Sequence, residues 1–108
     1  MAPNSSTLGA LIDDLVSANR ILAGLGVLDG FGHVSVRHPE HPDRFVLSRS
    51  LAPALVTADD MMTFDLDANA LDDDARRPYL ERFIHGAIYR ARAAMALADR
   101  AKASALRG

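Results

Sequence analysis

The sequence predicts an α/β fold from two observations. A long stretch near each end carries apolar residues at three- and four-residue steps, the period of an amphipathic helix. Three short stretches between them alternate with a period of two, or run apolar for three residues, between Gly-, Pro- and Asp-rich turns. Each element follows from particular residues.

Residues 5–25 read as the first helix. Leu8, Leu11, Ile12, Leu15, Val16, Leu22 and Leu25 form one face, with Asp13, Asp14, Ser17 and Arg20 opposite. Ser5, Ser6 or Thr7 suits a cap, and Gly24 and Gly26 suit the end. Gly26, Gly30 and Gly32 mark a turn around Asp29 and Phe31. His33 to Arg37 then alternates as a strand. His38-Pro39-Glu40-His41-Pro42-Asp43 is a loop, since each proline drives the residue before it out of helical geometry. Phe45-Val46-Leu47 is a second strand, so 33–37 and 45–48 make a hairpin. Met61 to Leu66 is a third strand, ended by Asp67-Ala68-Asn69. Asp72-Asp73-Asp74 reads as a solvated acidic loop. After Pro78 comes a second helix, with Leu80, Phe83, Ile84, Ala87, Ile88 and Ala91 as its apolar, inward face. From Ala91 to Gly108, eight of 18 residues are Ala, a helix-forming tail with little apolar bulk.

Composition bounds the function. The 108 residues suffice for one domain. The absence of cysteine excludes disulfides, thiol catalysis and Cys-based metal sites. A net charge of −2 gives no pull toward nucleic acid or anionic membrane. Met1 to Ser6 has no basic residue ahead of an apolar run, so no signal peptide is expected. Asp13, Asp14, Asn19 and Arg20 interrupt the first apolar stretch, so no membrane span is expected either. A cytoplasmic protein is the expectation.

Four groups of residues suit chemistry. Glu81 and His85 are one helical turn apart, with Tyr89 continuing the stripe, so a carboxylate and an imidazole can share a proton or a metal. The plainer account is a solvated helical pair. His33, His38 and His41 fall within nine residues, but the prolines place two of them in an exposed loop and nothing fixes three ligands on one point. The Gly30-Phe31-Gly32-His33 turn can offer backbone N–H groups to an anion. Ser48-Arg49-Ser50 can hold a carboxylate, or is an ordinary strand-end turn.

Together these segments resemble a known family. Gly32-His33-Val34-Ser35-Val36-Arg37 is similar to the glycine–x–valine–serine–x–arginine segment of the class II aldolase/adducin family. Leu15 to Asp29, Leu47-Ser48-Arg49-Ser50, Thr57-Ala58-Asp59-Asp60 and Phe64-Asp65-Leu66-Asp67 follow the family's order. Glu81-Arg82-Phe83-Ile84-His85, then Ile88-Tyr89, resembles the helix that carries its catalytic glutamate. The likeness covers roughly residues 8–92.

The resemblance implies a three-layer α/β/α domain, here a partial one, with residues 1–92 its N-terminal part and 93–108 a divergent helical tail. It implies a divalent metal, usually zinc, and aldol cleavage or decarboxylation of a small-molecule substrate. Glu81 matches the acid/base glutamate. Gly32 and His33 match the substrate-facing turn, where many sugar-phosphate aldolases have Asn in place of His33. Ser48 and Arg49 occupy the next substrate-facing segment. Tyr79 and Leu80 stand where sugar-phosphate members carry paired serines, which points to a non-phosphorylated hydroxy or carboxylated substrate. The family's His-x-His metal pair has no counterpart after His85, so no metal ligand is assigned and none is expected to bind. A chain of this kind is expected to be inactive alone, as a frameshift or premature stop after Arg92 would leave it. A non-catalytic adducin-like interaction module is the alternative; a residual metal site from Glu81, His85 and His33 is a third. The family forms homotetramers with active sites at subunit boundaries, which leaves a homo-oligomer open.

Overall fold

A computed structural model describes residues 3–26 and 32–107, and the side chains of 7–26 and 32–95 among them. The chain runs from helix α1 (Pro3–Gly24) through β1 (Ser35–Arg37), β2 (Arg44–Ser48) and β3 (Met61–Asp65) to helix α2 (Arg82–Arg107). Short 3₁₀ turns at Pro53–Leu55 and Ala58–Asp60 join β2 to β3. Gly30 and Phe31 of the expected anion-binding turn, and the side chains of the tail from Ala96, lie outside the described residues.

α1 begins at Pro3, so the expected caps at Ser5, Ser6 and Thr7 are inside the helix. Proline suits a first helical position, because the N–H it lacks has no intrahelical acceptor there. Gly26 ends α1 in the left-handed conformation, at φ 75°. The helix packs against the 3₁₀ turns and β1. Leu15 and Asn19 are fully buried, whereas Leu25, expected on the inner face, is 72% exposed beyond the helix end. Asn19 Nδ2 donates to the Leu15 carbonyl at 2.8 Å. Its Oδ1 has no partner among the described residues.

The three strands form one antiparallel sheet in the order β1-β2-β3. The expected hairpin forms, with β1 two residues shorter at its start because pairing begins at Ser35↔Leu47. Register places Phe45 opposite Phe64 and Leu47 opposite Met62. These four side chains share a sheet face and form the core with Ala68 and Tyr79. The Phe45 and Phe64 rings stack at 5.3 Å. Beyond β3, Asp65 organises the expected turn: its carboxylate accepts from the backbone N–H groups of Asp67 and Asn69, both at 2.9 Å. Ala68 is thereby held at φ 65°. In the acidic loop Asp72 and Asp73 are exposed, as expected, whereas Asp74 is half-buried and paired with Arg76, which also donates to the Asp59 and Met61 carbonyls.

α2 departs most from expectation. It starts at Arg82 rather than just after Pro78, because buried Tyr79 and the Leu80-Glu81 turn come first. Its expected inward face points away from the sheet: Leu80 is 82% exposed, and Phe83, Ile84 and Ile88 are each more than half exposed. The face against the sheet carries His85, Gly86 and Tyr89. Gly86 decides this orientation. A Cβ there would stand 2.4 Å from the Leu66 carbonyl oxygen, so only glycine lets the helix come so close.

Candidate functional site

β1 and α2 bring together four side chains far apart in sequence. His33 precedes β1, Ser35 opens it, and His85 and Tyr89 lie one turn apart on α2. Alternation along β1 aims Ser35 and Arg37 at α2. His33 Nδ1 lies 2.7 Å from His85 Nε2. His85 Nδ1 lies 2.6 Å from Ser35 Oγ, which is 2.8 Å from the Tyr89 hydroxyl. Arg37 donates to the Tyr89 carbonyl at 2.9 Å and sets its guanidinium 5.0 Å over the Tyr89 ring. Phe45 packs against both the His85 and Tyr89 rings. Burial, and then the neighbouring His33, hold the His85 imidazole below its ordinary pKa of 6.5.

A cleft of about 730 Å³ lies beside this cluster, lined by Ser50, Leu51 and Ala52 on one side and residues 77–82 on the other. Tyr79 belongs to both: its ring lies 5.2 Å from that of His33, and its hydroxyl donates to the Leu51 carbonyl in the cleft wall. Glu81 is an exposed part of the lining, just before α2, with Arg77 and Arg82 on the same wall. His85 turns toward the sheet, so the Glu81–His85 stripe divides between the cleft and the cluster.

The other expected residues are placed as follows. Gly32 is half-buried and leads with His33 into β1. Ser48 is buried, its hydroxyl donating to the Arg49 carbonyl at 3.0 Å. Arg49 Nε donates to Asp60 at 2.8 Å. The backbone N–H of Thr57 and the Arg49 guanidinium hold the Asp60 carboxyl below its ordinary range. His38, expected in an exposed loop, is buried; its Nδ1 accepts from the N–H groups of Glu40 and His41, which folds the loop over it. Burial lowers its pKa as well.

The donor set does not fit the zinc that the resemblance implies. His33 and His85 direct the facing ring nitrogens at each other, whereas a metal needs lone pairs converging on one point. No three His, Asp or Glu side chains among the described residues gather as a ligand group. Sequence reasoning noted the Glu81–His85–Tyr89 stripe but missed Ser35, the residue that joins it to β1. The parity of Ser35 and Arg37 was the signal available.

Similarity to known proteins follows the same segments. Residues 13–98 match the family described as the Class II Aldolase and Adducin N-terminal domain. The decarboxylase tropJ of Talaromyces stipitatus is 43% identical over 76 residues, which are 68% of this chain and 29% of that protein. L-fuculose 1-phosphate aldolase from Glaciozyma antarctica PI12 superposes with a TM-score of 0.73 at 28% identity, over 84% of this chain and 39% of that one. The chain thus spans less than half the length of either relative. No helix among the described residues is long and apolar enough to cross a membrane. With its helix-flanked sheet matching a solved aldolase over most of the chain, the protein belongs to the class II aldolase and adducin N-terminal domain family.

Proposed function

We propose that the chain is the N-terminal, substrate-positioning part of a cytoplasmic carbon–carbon lyase, with residues 93–108 a divergent tail. The substrate is a non-phosphorylated hydroxy acid or other carboxylated small molecule. The observation that carries this reading is the cleft, where Glu81 shares a wall with Arg77 and Arg82 and Tyr79 connects to His33. An Arg-lined wall suits a carboxylate, since a guanidinium offers paired N–H donors to its two oxygens. Tyr79 and Leu80 leave no paired hydroxyls there for a phosphate. Gly32, His33, Ser48 and Arg49 form the substrate side, Ser48 and Arg49 acting through the loop that Asp60 holds.

In the decarboxylating form of this reaction, the bond between the substrate carbon and its carboxylate breaks and CO₂ leaves. The electron pair stays on the carbon, and the Glu81 carboxyl delivers a proton to it. In the aldol form Glu81 takes a hydroxyl proton, and the carbon bearing that oxygen becomes a carbonyl as the adjacent carbon–carbon bond breaks. The bond's electron pair passes to the other fragment as an enolate, which the same proton then quenches. The likeness to a decarboxylase at 43% identity supports the first form. No step is assigned to a metal, because the donor set does not fit one.

Titrating the chain with a dihydroxybenzoate, followed by amide chemical shifts, tests the reading. Shifts confined to Arg77–Arg82, Ser50–Ala52 and His33, and lost in Arg77→Ala, are expected. Tighter binding of glycerol 3-phosphate at the same residues would overturn the substrate class. The second reading, a non-catalytic interaction module, is favoured by the exposed Phe83, Ile84 and Ile88. Concentration-dependent dimerisation with no small-molecule shifts would select it.

A further inference from the structure

We propose that Tyr89, Ser35 and His85 form a hydrogen-bond chain that fixes the ring tautomer of His33, so that His33 Nε2 carries a proton and donates it to an oxygen acceptor on the bound molecule. Tyr89 is a positioning residue, two side chains removed from the imidazole it controls.

The distances link all four groups in one line: Tyr89 hydroxyl to Ser35 at 2.8 Å, Ser35 to His85 Nδ1 at 2.6 Å, His85 Nε2 to His33 Nδ1 at 2.7 Å. Each neutral imidazole has one donor and one acceptor nitrogen. Were Ser35 Oγ to accept from both neighbours, its own proton would have no acceptor among the described residues, so the whole line runs in one of two directions. In the first, Tyr89 donates to Ser35, Ser35 to His85 Nδ1, and His85 Nε2–H to His33 Nδ1. The remaining His33 proton is then on Nε2. In the second, every donor and acceptor exchange roles, and His33 Nε2 is bare. The two directions hold the same number of protons.

The end group selects the direction. A phenol is a stronger donor than an aliphatic hydroxyl. The Arg37 guanidinium over the ring face strengthens it further by drawing electron density from the ring. In the second direction the Tyr89 hydroxyl would accept from Ser35 and need an acceptor for its own proton. Its one hydrogen-bond partner among the described residues is Ser35. The first direction leaves nothing unsatisfied at that end. The groups facing the line are Arg37 from β1 and Tyr79 from the cleft wall, and neither accepts the Tyr89 proton.

A donor at His33 Nε2 fits a carboxylate or carbonyl oxygen and refuses a metal ion, which needs a lone pair there. The identity of the acceptor rests on the reading of His33 as substrate-facing. The tautomer does not, because the chain sets it with no substrate present.

Long-range proton–nitrogen spectra of the histidine rings in the 108-residue chain test the proposal. The expected pattern is the Nε2–H form for both His33 and His85. In Tyr89→Phe the ratio of Nε2–H to Nδ1–H at His33 should fall about fivefold, the effect of one net hydrogen bond. A proton on Nδ1 of His33 in the unsubstituted chain would overturn the proposal without any variant. So would an unchanged ratio in a folded Tyr89→Phe chain. With dihydroxybenzoate bound, a His33 Nε2 signal that stays in place overturns the acceptor assignment and leaves the tautomer standing.

Discussion

The two faces of α2 divide its labour against the usual rule. The face on the sheet carries an imidazole, a phenol and a glycine, each half-buried or buried against β1, β2 and the end of β3. The face away from it carries Phe83, Ile84 and Ile88, all more than half exposed. Polarity is inside and bulk apolar surface is outside. What holds a helix in place is therefore contact and hydrogen bonding at particular positions, not the mean hydropathy of a stripe.

That contrast can be broken most sharply at the inner contact. Phe45→Ala removes the ring that packs on Phe64, His85 and Tyr89 and should cost about 3–5 kcal/mol, enough to unfold a small domain in a thermal melt. Gly86→Ala should cost about 1–3 kcal/mol, since the new methyl meets a backbone carbonyl and the helix must move off the sheet. Urea denaturation measures it. Stability equal to the parent's would mean that α2 does not sit where Gly86 places it.

Protons sharpen the comparison next. Unfolded, His85 and His38 take up protons near 6.5, while burial holds the folded groups lower. The unfolded chain therefore binds more protons in the window below 6.5, and stability falls as pH drops through it. A second loss follows below 3.8, where the lowered Asp60 and Asp65 carboxyls of the folded chain stay ionised longer than those of the unfolded one. Denaturation midpoints from pH 8 to pH 3 should show both windows, and His85→Gln should flatten the upper one. On the outer face the smallest effect is expected. Phe83→Ser with Ile88→Ser should change stability by less than about 0.5 kcal/mol, keep the parent's pH profile and lower self-association in sedimentation. A loss of several kcal/mol there would mean that this face is covered by the chain's own residues.

The hairpin, the third strand and both helices were legible because each rests on local periodicity and on turn residues. Pro39, Pro42, Asp67 and Asn69 act within a few positions of themselves. The rotation of α2 was not legible. Periodicity finds the most apolar stripe, Leu80 to Ala91, but the orientation is set by one approach between Gly86 and Leu66, residues 20 apart in sequence. The site divides in the same way. Glu81, His33 and His85 stand out by residue type. Ser35 joins them only through the register of β1 against β2, a non-local fact. His38 was misread as solvated because its proline suggested a loop, and the loop closes over its own histidine.

Gly86 has a consequence for any version of this chain that lengthens or loses a residue in the turn before α2. One residue more or fewer turns a helix by about 100°. That shift would bring His85 or Ala87 to the place where the Leu66 carbonyl admits no side chain. The turn from Tyr79 to Glu81 therefore has a fixed length, and natural variation in it should come as substitution, with insertions and deletions confined to the acidic loop before Pro78.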